Sequence, residues 1–578
     1  MDKRWIIKPQ PDDALALDFA SQTGLHPVLA KLLLQRGVSS AHDVDDFFNP
    51  SLDNLHDPFL MKDMSKAVER IISALQHNER ILIYGDYDVD GTSAVALVFM
   101  ALGRFISSQD QIDFYIPDRY NEGYGISTKG IQYAHDNGFS LVIALDCGIK
   151  AVHRMQLARE LGVDFIICDH HMPGEQIPDV VACLNAKQAD CPYPDKNLSG
   201  CGVGFKLMQA LYISKGLDWH LLTEFLDLLV VSIASDIVPI VGENRILAFH
   251  GLNRINSHPN VGLASIMCMA DIKPGDVSMS DIVFKIGPRI NAAGRMRSGN
   301  DAVRLLVSTD RAMADSISLQ INDQNDERKD LDRIITRQAV QRIENSPSLR
   351  LSSSTVLYDQ SWSKGVIGIV ASRLSETYLR PTIILTRSQA NPDFATGSAR
   401  SVEGFDLYRA IDACSHLLEN FGGHTYAAGL TMKIENVEPF QREFESYAAA
   451  NSSAEQRVPQ VDIDLEIDLA DVSEHLLAQL DRLEPFGPAN ARPVFLTRGV
   501  YDYSTSKLFG HQRQHIKLDV IDSNGRTVKS GVCFGLGHLF PAISNGAQFD
   551  IAYTIERNDY RGRKILQLVV KDIKFSDV

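Results

Sequence analysis

Between residues 80 and 185 the chain repeats one alternation. Apolar runs at 81–84, 112–116 (broken only by Asp113), 141–145, 165–168 and 180–184 are separated by helix-spaced segments at 92–104, 127–137 and 151–161. Runs of that kind are buried on both faces, and their alternation with helices predicts a parallel sheet covered on both sides. Residues before about 50 read as small helices without evident chemistry. An apolar helix over 225–234 follows the sheet pattern, and from Ser308 to Ser346 neither Gly nor Pro interrupts a helical spacing. At 1.5 Å per residue such a helix reaches roughly 55 Å. Its middle, 322–328, is polar all round, as in a helix crossing open space between domains. A second, smaller α/β unit is expected from strands at 354–357 and 381–385 around a helix at 365–374. Short strands at 461–469, 494–496, 515–520, 526–533, 549–555 and 565–570 then predict a small barrel, an OB-fold being the plausible form. The expected domains are a helical segment 1–50, a catalytic α/β domain 51–265, a connecting region with the long helix 266–347, a second α/β domain 348–455 and the barrel 456–578.

Polar residues fall where this pattern places strand ends. Asp86, Asp88 and Asp90 follow the first strand, Asp146 the third, and Asp169-His170-His171 the fourth, while Asp236 ends the apolar helix. In an open parallel sheet ligands bind just beyond the carboxyl ends of the strands. Crowded carboxylates repel, and each holds its proton unless a cation neutralises the group. A lone Asp after a strand is usually a helix cap, and a His-His pair is usually surface. Four such features converging on one edge point instead to a site for two hard or borderline cations, Mn²⁺ or Mg²⁺.

With 578 residues the chain exceeds one core, and no apolar run approaches the roughly 20 residues of a membrane span. The start, Met1-Asp-Lys-Arg-Trp-Ile, lacks an export signal, so the cytoplasm is the expected location. Eight scattered cysteines without a CxxC pair fit a reduced compartment, and the spacing of Cys183, Cys191 and Cys201 matches no common zinc knuckle. A net charge of −16 argues against nucleic acid as a partner, unless the positive charge is gathered in one groove. The arginines decide this. Gly287-Pro-Arg289-Ile-Asn-Ala-Ala-Gly-Arg295-Met-Arg297 reads as a loop that phosphates can approach, and 397–401 and 422–424 read as two Gly-rich loops offering N–H groups to anions. Lys206, in Gly200-Cys-Gly-Val-Gly204-Phe-Lys, reads as a loop-to-helix entry rather than a dinucleotide site. In the barrel Lys507, Phe509, His511, Arg513, His515 and Lys517, then Arg557, Tyr560, Arg561, Arg563 and Lys564, interleave cations with rings, which suits a single strand.

The motif Asp169-His170-His171, with Asp88-Val-Asp90-Gly91, Asp146 and Ser235-Asp236, resembles the DHH phosphoesterase superfamily. Five further blocks resemble its RecJ family of single-strand-specific 5′→3′ exonucleases: Tyr84 to Gly91, Ile116-Pro-Asp-Arg119 with Glu122-Gly-Tyr-Gly125, Gly287 to Arg295, Phe421-Gly-Gly-His424 and Leu483 to Pro488. The resemblance implies a DHH domain, a DHHA1 domain and a terminal OB-fold. It also implies that Asp90, Asp146, His170 and Asp236 surround one metal, with Asp88 sharing Asp146 to hold a second. Asp86 and Asp169 would orient those ligands, and His171 would face the scissile phosphate or its leaving oxygen. Arg119, Arg289 or Arg295 (the last preferred), Ser398 and Arg400 would hold the 5′ phosphate, with His424 facing the cleft. Single-strand contacts would come from Arg513, Lys517, Tyr560, Arg561 and Arg563. The implied reaction releases 5′-mononucleotides in DNA recombination and repair, by a monomer working beside a helicase and single-strand-binding protein. The rival is a DHH/DHHA1 phosphodiesterase of short oligonucleotides or cyclic dinucleotides; such chains generally lack the barrel.

Overall fold

Apolar runs without a polar face can only be buried between layers, and here they form one parallel sheet. Its strands are β1 (Arg80–Gly85), β2 (Ile112–Tyr115), β3 (Phe139–Leu145), β4 (Asp164–Cys168) and β5 (Ala182–Leu184), in the order β2-β1-β3-β4-β5. Alternation sorts the side chains: Ile81, Ile83, Leu141 and Ile143 enter one core, and Leu82, Tyr84, Val142 and Ala144 the other. Each Ile, Leu or Val among them, fully buried, contributes about 1.5–3 kcal/mol. The first core is shared with α1 (Val89–Leu102), α2 (Gly200–Ser214) and α3 (Leu226–Ser235). The strand order reverses between β1 and β3, and a crevice opens there at the carboxyl ends.

The computed structural model describes residues 3–389, 391–453, 455–560 and 563–575, with side chains for all of these except 559, 560 and 563. The chain divides into two compact units, Leu52–Arg457 with Gly487–Ala489, and Met1–Ser51 with Val458–Phe486 and Asn490–Val578. Among the described residues no helix is long and apolar enough to cross a membrane.

In the larger unit the basic stretch expected as a loop is a helix, α4 (Gly287–Met296). Its Gly and Pro occupy the first turn, where a missing N–H costs nothing. Gly294 serves packing: a Cβ there would lie 2.5 Å from the carbonyl oxygen of Tyr87, so only glycine lets α4 rest on the backbone beyond β1. The long helix, α5 (Arg311–Asn345), has 35 residues and spans roughly 52 Å. Its polar middle does not cross open space. Ser318, Gln324 and Asn325 are buried, because α4 and the helix Val261–Met269 pack along it. Beyond it, α6 (Lys364–Tyr378) covers a mixed sheet of β6 (Thr355–Tyr358), β7 (Thr382–Arg387), β8 (Phe394–Arg400), β9 (Asn420–His424) and β10 (Ala427–Lys433), ordered β9-β10-β8-β7-β6.

The Gly-rich segments 397–401 and 422–424 thus lie largely in strands rather than in the expected loops. Pairing supplies the reason: Gly422 faces Gly429, and Gly429 faces Ser398, giving a row of small residues across three strands. The adjacent row on the same face is Arg400, Ala427 and His424.

In the smaller unit five strands close a ring. Phe495–Asp502 pairs with Phe549–Tyr560, which pairs with Arg563–Phe575; Val528–Cys533 and His515–Ile521 follow, and Tyr501 returns to Ile521. The expected small barrel is therefore present. The helices Asp13–Thr23, Pro27–Gln35 and Ala41–Phe48 do not stand alone: Leu29, Leu33 and Phe48 share a core with Leu476, Phe495, Tyr553 and Val570. Strand Arg4–Ile7 pairs in parallel with Gln460–Ile463.

Candidate active site

Every predicted carboxylate of the set arrives at the β1/β3 crevice. Asp88 caps α1, its Oδ1 accepting from Gly91 N at 3.1 Å. Asp90 lies in the first turn of α1, gripped from across the crevice. Its carboxylate accepts Gly200 N at 2.7 Å, Cys201 N at 2.8 Å and Ser232 Oγ at 2.7 Å. The first of these are free N–H groups at the start of α2, which suit an anion. Gly200 is obligatory there, because a Cβ would sit 2.6 Å from Asp146 Oδ1. Asp146 itself has φ 59°, a left-handed backbone held by its N–H on the Cys168 carbonyl at 2.8 Å. That strain is retained where it aims a carboxylate into the cluster. His170 Nε2 lies 3.2 Å from Asp146 Oδ1, 3.5 Å from Asp236 Oδ2 and 3.8 Å from Asp90 Oδ2.

Among the described residues three groups offer ligand atoms mutually within 4.8 Å: Asp90, His170 and Asp236; Asp86, Asp88 and Asp146; and Asp146, His170 and His171. The second group includes Asp86, expected to orient the ligands, with an oxygen within the same 4.8 Å as those of Asp88 and Asp146. Asp169 does stand behind them, accepting from Ile149 N at 2.9 Å, His170 N at 2.8 Å and His171 Nδ1 at 2.7 Å. Asp86 Oδ1, Asp146 Oδ1 and both nitrogens of His170 are buried without a hydrogen bond. Buried polar atoms of this kind demand a partner, and a carboxylate-rich set with one or two imidazoles fits Mn²⁺ or Mg²⁺. Cys183, Cys191 and Cys201 are core residues outside these groups.

Without a cation the cluster holds protons. Burial, then the charge of Asp90, lifts Asp146 far above the carboxylate range, and the same two causes push Asp236 up to about 9. Burial with Asp88 raises Asp86, and burial with Asp90 raises Asp88. Burial holds His170 down at about 4, so its imidazole is neutral and able to ligate. Asp169 runs the other way: its bond with His171 overcomes burial and keeps it at about 2. Burial disfavours the imidazolium of His171, but Asp169 outweighs it and the net shift is upward.

The linked stability has a definite sign. Acids that bind protons more tightly folded than unfolded lose stability as pH rises through the shifted range. Metal-free protein is therefore expected to melt at a lower temperature at about pH 9 than at about pH 7, a window beneath which His170 has finished titrating. Calorimetry in a chelator checks this. Mn²⁺ should raise the melting temperature and flatten the slope, and a metal-free curve that rises with pH would contradict the assignment of these shifts.

Beside the carboxylates lies a pocket of guanidinium groups. Arg295 is pushed down to about 9, first by burial and then by the like charges of Arg119, Arg328 and Arg400. Cations so gathered form an anion site. Arg119 lies over the Tyr87 ring at 4.7 Å, and Arg295 Nη1 donates to the Gly365 carbonyl at 3.3 Å. Arg400 Nη1 donates to Ser398 Oγ at 2.9 Å, and α6 presses close at Gly368, whose added Cβ would meet that oxygen at 3.0 Å. His424 is lowered by burial and then by the charges of Arg400, His171 and Lys150, so it lies within electrostatic reach of both pocket and cluster. Arg289 does not join them. It donates to Asn322 Oδ1 at 3.1 Å, the Lys285 carbonyl at 2.8 Å and the Met269 carbonyl at 3.3 Å, bracing α4 against α5.

The sequence reading missed four residues here. Lys187 faces Asp236 and Asp169, Tyr124 reaches His171, Arg328 joins the guanidinium pocket from α5, and Lys364 stands over the Tyr120 ring at 5.8 Å. Only the Glu122-Gly-Tyr-Gly125 block carried any signal for one of them.

On the barrel, Lys507 and Lys517 are exposed and directly opposed across a strand pair, a repulsion that a bound anion relieves. Exposed Arg513 lies at the turn before the second strand. Phe509, His515 and Phe534 form a ring cluster with centroids 5.2–6.3 Å apart. Arg557 is committed to Asp481 and Glu474. Arg561 lies outside the described residues, and Tyr560 and Arg563 are described in backbone only.

Three family models match: the DHH family N-terminal domain at residues 80–233, the DHHA1 domain at 352–450 and the RecJ OB domain at 463–572. A single-stranded-DNA-specific exonuclease RecJ of Bacillus subtilis is 34% identical over 574 residues, covering 99% of this chain and 71% of its own. The protein of that name from Salmonella typhimurium is 30% identical, covering 95% and 96%. RecJ of Thermus thermophilus, solved in complex with Mn²⁺, superposes with a TM-score of 0.84 at 25% identity, covering 100% of this chain and 80% of that one. An exonuclease RecJ bound to manganese gives 0.60 at 29% identity, covering 70% and 99%. Such identity along nearly the whole length, with all three domain models in order, means that the chain belongs to the RecJ family.

Proposed function

We propose that this chain is a metal-dependent exonuclease that takes single-stranded DNA by its 5′ end and releases 5′-mononucleotides. The observation that carries this reading is the adjacency of a cation-hungry cluster and a guanidinium pocket within one unit, with His424 in electrostatic reach of both. Arg119, Arg295, Arg328, Arg400 and Ser398 grip the terminal phosphate and set how far the strand enters. Asp90, Asp146, His170 and Asp236 would hold one cation, and Asp86, Asp88 and Asp146 a second. When bound, the two cations lower the pKa of a water and neutralise charge building on the phosphate. His171 turns Nε2 toward that phosphate, because Asp169 occupies its Nδ1. Lys187 offsets part of the negative charge around Asp236. Along the barrel, Phe509, His515 and Phe534 stack bases while Lys507, Arg513 and Lys517 track phosphates. The domain limits of the sequence reading, a monomeric state, a helicase that supplies single strands and a protein that coats them belong to the same proposal.

A single strand labelled at either end, incubated with Mn²⁺ or Mg²⁺, tests it. The 5′ label is expected to appear at once as a mononucleotide, while the 3′-labelled strand shortens stepwise. Internal fragments, or mononucleotides from the 3′ end first, would overturn the reading.

A further inference from the structure

Tyr124 has no place among the ligand atoms or the guanidinium pocket, yet it is built into the site with care. It stands between Gly123 and Gly125, both left-handed at φ 83° and 82°. Bonds on either side brace this turn. Glu122 accepts from Tyr115 OH at 3.0 Å, Asp118 N at 2.9 Å and Ser127 Oγ at 2.5 Å. The buried Tyr84 hydroxyl donates to the Gly125 carbonyl at 2.9 Å. From this support the Tyr124 ring extends to the catalytic edge. Its residue is 57% exposed, while its hydroxyl lies 3.3 Å from both nitrogens of His171 and 3.4 Å from the Asp146 carbonyl. The rings meet edge to face, 5.8 Å apart at 73°.

His171 needs such a neighbour. Its side chain is 43% exposed, and Asp169 holds it by one bond, at Nδ1. One bond fixes the tautomer but leaves the ring free to tilt about it, and a tilt carries Nε2 away from a reacting atom. The Tyr124 hydroxyl gives its one proton toward the Asp146 carbonyl, and its oxygen, 3.3 Å from both ring nitrogens, stands against the imidazole and blocks that tilt.

We infer that Tyr124 is a positioning residue for His171, its hydroxyl fixing the plane of the imidazole and with it the direction of Nε2. The inference rests on the exonuclease reading given above. It places the residue outside metal binding and outside strand binding, and this makes it separable from both.

Tyr124→Phe keeps the ring and removes only the hydroxyl. Outer contacts of this kind cost about 10- to 100-fold, and that loss is expected in kcat. KM for a 5′-phosphorylated single strand, Mn²⁺ affinity by calorimetry and the melting temperature should stay as in the parent protein. In ¹⁵N-histidine-labelled protein with Mg²⁺, the Nε2 resonance missing from His171→Gln should shift in Tyr124→Phe. An unchanged kcat would overturn the inference, since ring packing alone would then suffice. A raised KM or weakened Mn²⁺ binding would overturn it too, by assigning the hydroxyl to strand or metal. A parent protein that leaves single strands intact in the same assay would remove the exonuclease reading and this inference together; a parent that cuts, with a variant that cuts equally, removes this inference alone.

Discussion

Asp146→Asn is expected to lower kcat by at least about 10³-fold, or about 4 kcal/mol of barrier. Asp146 is the residue that both proposed ligand sets share, and its Oδ1 is buried with no hydrogen bond to satisfy it. Asparagine keeps the shape and tolerates the left-handed backbone, φ 59°, that this position imposes. It removes the carboxyl that burial and Asp90 force to hold a proton at neutral pH in the absence of metal, at a cost to folding. The metal-free variant should therefore melt higher than the metal-free parent, and Mn²⁺ should add less to it. Activity and stability move in opposite directions, which a general folding defect cannot imitate. Single-turnover cleavage and calorimetry together check the pair of effects. Cleavage within a factor of a few of the parent would remove the shared-ligand role.

Arg400→Ala is expected to erase most of the preference for a 5′ phosphate over a 5′ hydroxyl. A hydrogen bond to a charged group contributes about 1.5–3 kcal/mol, so kcat/KM for the 5′-phosphorylated strand should fall about 10- to 150-fold. The 5′-hydroxyl strand should hardly change. Arg400 is aligned by Ser398 Oγ, and its row across β8, β10 and β9 ends at His424. Equal losses on both substrates would mean that Arg400 supports the fold and does not read the strand end.

What could be read in advance follows from range. Strands ending in Asp86, Asp146 and Asp169 were legible because an apolar run and the carboxylate after it are neighbours in sequence. The placement of Asp236 was legible for the same reason, at the end of α3. Glycine misled. In α4 and in β8 and β9 it permits close contact, of α4 with Tyr87 and of one strand with the next, and local propensity cannot tell that use from a turn. The arginines of α4 show the same limit. Arg289 and Arg295 look alike in sequence, yet less than two turns of helix separate a brace on Asn322 from a member of the anion pocket. Lys187, Tyr124 and Arg328 acquire meaning only from partners brought near by folding. That an oxygen of Asp86 lies within 4.8 Å of those of Asp88 and Asp146 likewise depends on the fold around β1 and β3 and has no signal in the local sequence.

The pairing of the first strand with Gln460–Ile463 has a consequence for synthesis. The first 51 residues leave the ribosome some 400 residues before Val458, where their partner segment begins. At about 5–20 residues per second that is a delay of roughly 20–80 s. Throughout it the leucine faces of three short helices, Leu29 and Leu33 among them, have no core to enter. The nascent chain thus completes its catalytic unit while its own beginning waits, an interval in which a chaperone that covers apolar helices would find a ready client.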